Sequence, residues 1–181
     1  LVNVDAKLAA AVADGLGIEV PEAMPTVPGS DVTPEVTSSP ALSLEARPGD
    51  GSLTARRVAL LVADGVDAAP LLRLHAALLA AGAVPRLVGS KLGTVTAAGG
   101  ERLIVETTLE ALPSCLWDGV VVPSGQKARR ALVGNSAVIA FIEEAWRHGK
   151  AVRLQGDADD SASADDAFMA ELAAYRNPER T

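Results

Sequence analysis

Arg56-Arg57-Val58-Ala59-Leu60-Leu61-Val62-Ala63-Asp64-Gly65-Val66-Asp67 is a continuous apolar run, entered from two basic residues and left through an acidic turn containing glycine. An unbroken run of this length reads as a strand covered on both faces, with a turn behind it. Asp67 is placed to cap the following helix, on which Leu71, Leu72, His75, Leu78 and Leu79 line one face until Gly82. Ala83 to Val88 then reads as a second parallel strand, which completes one βαβ unit.

The same alternation continues toward the C-terminus. Val95–Ala97 and Leu103–Val105 suggest a short hairpin, and Thr107-Thr108-Leu109-Glu110 has capping-box spacing for a brief helix before Pro113. Gly119–Val122 is a third buried strand, ending at Pro123-Ser124-Gly125. Ser136 is placed to cap a helix with Val138, Phe141, Ile142, Ala145 and Trp146 on one face. Ala151–Leu154 is a fourth strand, expected in the centre of the sheet. The polar loop from Gln155 to Ala164 follows, then a last helix carrying Phe168, Leu172 and Tyr175. Strands alternating with helices predict an α/β fold: a flavodoxin-like, three-layer helix-sheet-helix domain with a mostly parallel sheet.

Outward from that domain toward the N-terminus, the pattern changes. From Glu19 to Thr54 the chain is punctuated by Pro21, Pro25, Pro28, Pro34, Pro40 and Pro48 among Ser, Thr and Gly, which reads as an extended linker. Before it, Asp5 is placed to cap a short helix with Leu8, Val12 and Leu16 on one face and Gly15 and Gly17 as stop signals. The expected organisation is residues 1–18 as a terminal helix, 19–55 as linker and 56–181 as the α/β domain. The chain opens at Leu1, without an initiator methionine and directly into an amphipathic pattern, so a fragment of a longer protein is expected.

Composition narrows the function classes. Of 181 residues, 49% are hydrophobic but only 3% aromatic, so the core is built from small aliphatic side chains. A net charge of −7 argues against a broad phosphate-binding surface, making nucleic acid an unexpected partner. No apolar run reaches the roughly 20 residues of a membrane-spanning helix, so no membrane partner is expected. The single cysteine, Cys115, excludes an intrachain disulfide and any cysteine-rich metal site, which fits a cytoplasmic location.

In doubly wound folds the ligand crevice lies at the carboxyl ends of the strands. Here that selects Asp64 to Asp67, Pro123 to Gln126 and Leu154 to Asp157. Asp64 and Asp67 have the chemistry of a cation ligand or base, but a strand-to-helix turn with a capping Asp uses the same letters and is the preferred reading. Backbone amides at Ser124-Gly125, followed by Lys127, Arg129 and Arg130, would suit an oxyanion. No nucleophile accompanies them, and a turn before a solvated basic helix face accounts for the pattern better. His75 reads as a structural residue on an apolar stripe, and His148 as a helix-end residue. Cys115 reads as a buried small hydrophobe. No metal spacing occurs.

Several of these stretches carry a resemblance. Leu1-Val2-Asn3-Val4-Asp5 through Leu16-Gly17-Ile18 is similar to the final helix of a haem catalase subunit, and Ser39-Pro40-Ala41-Leu42-Ser43-Leu44 to the linker leaving it in the large-subunit (clade 2) class. Arg57 through Asp67 resembles the first strand and turn of that class's appended domain. The likeness continues through Gly119-Val120-Val121-Val122-Pro123 and His148-Gly149-Lys150-Ala151, as far as Gly156. That domain is in turn similar to class I glutamine amidotransferase-like proteins of the PfpI protease and deglycase type. Their active members carry a cysteine at the elbow after the fourth strand and an acid in the first loop. The resemblance puts the elbow at about Leu154 and the acid near Ala69 or Pro70, so both positions are empty, and the Leu154 side chain is expected to lie inside and exclude water from the crevice. After Gly156 the family usually has another helix and strand, whereas this sequence passes almost directly to Asp165-Asp166-Ala167-Phe168.

The resemblance implies a noncatalytic accessory domain, with a degenerate crevice formed by Asp64, Asp67, Ser124, Gly125, Leu154, Gln155 and Gly156. It implies no metal and no cofactor of its own, haem being held in the parent core that decomposes hydrogen peroxide. Its partners would be that core and the other subunits of a homotetramer, with the domain bordering the approach to the haem. The alternatives are a holdase-like chaperone for unfolded clients and a residual hydrolase or deglycase using Cys115 or an acid pair.

Overall fold

The computed structural model describes residues 1–25, 50–156, 161–175 and 177. The chain divides into two compact units, Leu1–Pro40 and Ala41–Thr181. Most of the proline-rich linker, residues 26–49, and residues 157–160 of the polar loop lie outside the described residues.

In the first unit, α1 (Ala6–Leu16) begins where expected: the Asp5 carboxylate accepts from the backbone N–H of Lys7 and of Leu8, and Gly17 closes the helix. Its buried residues are Ala9 and Ala13, however, while Leu8, Val12 and Leu16 are exposed.

The second unit is built on β1 (Arg57–Leu61), α2 (Ala68–Ala80), β2 (Val84–Gly89), β3 (Gly93–Thr96), β4 (Arg102–Val105), β5 (Thr107–Thr108), β6 (Gly119–Val122), α3 (Gln126–Val133), α4 (Ser136–Arg147), β7 (Ala151–Leu154) and α5 (Ala162–Ala173). Five strands form one sheet in the order β5-β2-β1-β6-β7, every pair parallel, and β3 and β4 make a separate antiparallel hairpin. The period of two along each strand sorts side chains into two layers. Val58, Leu60 and Val62 face Leu71, Leu74 and Leu78 of α2 and Phe168 and Leu172 of α5. Ala59 and Leu61 face Leu132 of α3 and Val138, Phe141 and Ala145 of α4. Each large aliphatic side chain taken out of water in this way contributes about 1.5–3 kcal/mol.

Several local expectations are corrected. On α2 the buried stripe is Ala68, Leu71, Leu74 and Leu78, with Leu72 and Leu79 exposed, because leucines lie on more than one side of this helix and the sheet selects one of them. Asp67 holds the N-cap position of α2, but its side chain makes no capping bond. The cap of α4 is Asn135, whose side chain accepts from Ala137 N at 3.0 Å, and Ser136 is the first helical residue. Thr107 and Thr108 form an edge strand rather than opening a helix. The Thr108 hydroxyl accepts from Ala111 N in the turn that follows. Finally, β7 lies at the edge of the sheet and not at its centre, since no described strand pairs with its outer side.

Candidate functional site

The carboxyl ends of β1, β6 and β7 bring three loops together. Asp67 N donates to Ser124 O at 3.2 Å, which ties the first loop to the second. At this junction Gly125 adopts φ +105°, and a Cβ there would stand 2.3 Å from the Gly65 carbonyl oxygen. Gly65 in turn has φ +83°, and a Cβ on it would lie 2.6 Å from Lys127 Cβ. Both positions need glycine for conformation and for space. The third loop joins through α3: the Arg129 guanidinium donates to the Gln155 carbonyl oxygen and lies against Gly156.

Asp64 is exposed, and its carboxylate accepts from Thr96 N at 2.8 Å, so it anchors the β3–β4 hairpin rather than capping α2. Ser124 and Gln155 are fully buried. Among the described residues, Ser124 Oγ and both polar atoms of the Gln155 amide lack a hydrogen-bond partner, while Gln155 N donates to Val122 O at 2.9 Å. Buried polar groups left in this state each cost about 1–3 kcal/mol. Leu154 departs from expectation: it is 67% exposed, so its side chain does not seal the crevice. It shares a face of the sheet with Val152, beside α4, whereas Arg153 turns inward. Gln155 is the buried residue at this strand end.

Sequence reasoning missed three features. Arg129 is half-buried and bonded to the third loop rather than solvated. Lys150 is buried and donates to Ser114 O at 2.6 Å. Asp165 of α5 is buried between two cations, with Arg153 Nη1 at 2.9 Å in an ion pair of poor hydrogen-bond alignment and Arg73 Nε at 2.8 Å. The available signal for the last was Arg153 itself, a charge inside an otherwise apolar strand.

Cys115 is exposed, contrary to expectation. It lies in a 3-10 turn, Ser114–Leu116, where Ser114 and the following Trp117 take the inward positions. The turn precedes β6 and therefore sits at the amino ends of the strands, the opposite end of the sheet from the three loops. The thiol and the crevice cannot form one site.

The described residues do not fit a haem. The single tyrosine, Tyr175, has its ring under the Arg56 guanidinium, 4.3 Å from the centroid. His75 is half-buried on α2, and His148 is exposed at the end of α4 on the other side of the sheet. Among the described residues there is no group of three or more His, Cys, Asp and Glu placed to hold a metal ion, and no helix long and apolar enough to cross a membrane.

Comparison with known proteins agrees with this architecture. Among solved structures, the VC2308 protein superposes with a TM-score of 0.52 at 28% identity, covering 56% of this chain and 52% of that one. A cysteine-to-alanine mutant of a DJ-1 superfamily protein from Salmonella typhimurium gives 0.53 at 25% identity, over 55% and 54%. Drosophila melanogaster DJ-1beta gives 0.54 at 19% identity, over 64% and 61%, a likeness of fold alone. Catalase HPII of Pseudomonas putida is 43% identical over 155 residues, 85% of this chain and 21% of that protein. Catalase HPII of Pseudomonas aeruginosa is 36% identical over 163 residues, 90% and 22% respectively. The chain thus spans about a fifth of the length of these curated relatives. Residues 54–176 match the C-terminal domain found in long catalases, and the chain belongs to that family.

Proposed function

We propose that this chain is a noncatalytic accessory domain of a long haem catalase, which packs on the catalytic core, supports a homotetramer and borders the approach to the haem. In this reading residues 1–18 are the end of the core, 19–55 the linker, and 56–181 the appended domain, working in the cytoplasm. The observation that carries it is the family membership of residues 54–176 together with the residues at the strand ends. At the strand end where the resemblance puts the nucleophile of a hydrolase of this fold, the chain reads Leu154-Gln155-Gly156, and none of these side chains can attack a carbonyl. Asp64 and Ser124 supply no activated partner: the first anchors a hairpin and the second is sealed from solvent.

A docking face supports the same reading. Beside the edge strand β7, an open cleft is lined by Ile142, Glu143, Trp146, Arg147, Val152 and Leu154. Trp146 is 49% exposed and Leu154 67%. Large apolar side chains grouped with a polar rim have the composition of an interface. The catalase core is the occupant proposed for it.

The purified chain is expected to consume hydrogen peroxide no faster than buffer, with or without added haem, and to hydrolyse neither ester nor peptide substrates. Peroxide consumption that falls when a residue of this chain is replaced would overturn the reading.

A further inference from the structure

A second cavity, of about 320 Å³, opens where the chain leaves β1 and β2. Its floor is apolar, from Val62, Val95 and Val105, and its mouth carries Asp64, Lys91 and Lys127 with the hydroxyls of Ser90 and Thr94. We propose that this cavity binds a small organic molecule carrying one oxyanion group, held by Lys91 and Lys127 with its apolar body on the valines.

Position and charge argue for it. The cavity lies at the carboxyl edge of a parallel sheet, where folds of this kind place their ligands. Its volume is at the small end of the range of about 300–1,000 Å³ for small-molecule sites. The four ion pairs among the described residues all use arginine. Among the described residues, neither Lys91 nor Lys127 has a hydrogen-bond or ion-pair partner. Two lysines and one aspartate leave the mouth with a charge of +1 in a chain whose net charge is −7.

The stem of Lys127 lies beside the first loop. Its side-chain stem runs over Gly65 so closely that a Cβ there would come within 2.9 Å of Lys127 Cδ. Asp64 is committed through one oxygen to Thr96 N, which fixes the β3–β4 hairpin beside the cavity. Its charge disfavours polyanions and leaves its other oxygen to accept from a ligand hydroxyl. An oxyanion with an apolar or hydroxylated body fits these groups better than a diphosphate does.

The test is an amide-resolved titration of the full chain with inorganic phosphate and, separately, with benzoate. It is run at about 0.15 M salt, where the screening length of about 8 Å removes diffuse attraction. Saturable shifts are expected at Ser90, Lys91, Thr94 and Lys127. Lys91→Gln and Lys127→Gln should each weaken binding about tenfold, the scale of one charge-assisted hydrogen bond. Arg130→Gln, on the same helix but outside the cavity, should leave it unchanged. Benzoate binding more tightly than phosphate supports the apolar floor as part of the site. Linear, unsaturated shifts, or unweakened binding by both lysine variants with native spectra, would overturn the proposal.

Discussion

Asp165→Ala is expected to destabilise the domain by about 3–5 kcal/mol, the range for removing one partner of a buried ion pair. Asp165 is buried in the first turn of α5, where the helix dipole already favours a carboxylate. It takes Arg153 from β7 and Arg73 from α2, so one side chain joins the edge strand to two helices. Removing it takes the carboxylate away from the Arg153 guanidinium, which is 7% exposed, whereas Arg73 is more than two-fifths exposed and its charge is better solvated. The double variant Arg153→Met, Asp165→Leu should recover most of the loss, because apolar residues of similar volume need no compensating charge. Urea unfolding of the three proteins decides it. A loss below about 1 kcal/mol for the single variant, in the range of an exposed pair, would show that the charges are not buried as described.

The second large effect is expected at Gly125. Alanine there combines a left-handed backbone, φ +105°, with a Cβ 2.3 Å from the Gly65 carbonyl oxygen and 3.1 Å from Asp67 N. Either the first two loops separate and lose the Asp67 N–Ser124 O bond, or the residue remains strained, at about 2–4 kcal/mol. Slow amide exchange at Asp67 in the native protein should become fast in Gly125→Ala. Unchanged exchange and stability would contradict the close packing of the two loops.

What the sequence disclosed follows from the range of each signal. The run from Val58 to Val62 was legible because a strand covered on both faces needs apolar residues at every position, and α/β alternation follows from repeated runs of that kind. The place of β7 was not, since an edge strand and a central strand differ in neighbours rather than in local residues. Leu154 was therefore expected inside and lies outside. The three crevice loops could be found from strand ends, but their contacts could not: Arg129 reaching Gln155 spans 26 residues, and the 92-residue separation of Arg73 and Asp165 leaves no periodic trace. Lys127 could be read as part of a basic helix face, yet only the fold places its stem beside Gly65.

The accessory role is tested most directly in the parent catalase, by comparing the whole protein with one ended before Leu53 of this numbering. The two measured quantities are peroxide turnover per bound haem and the temperature at which the proposed tetramer dissociates. Unchanged turnover per haem with a lower dissociation temperature is the result expected of a domain that supports assembly without entering the chemistry. Lost turnover in a tetramer that keeps its haem and its thermal stability would contradict that role.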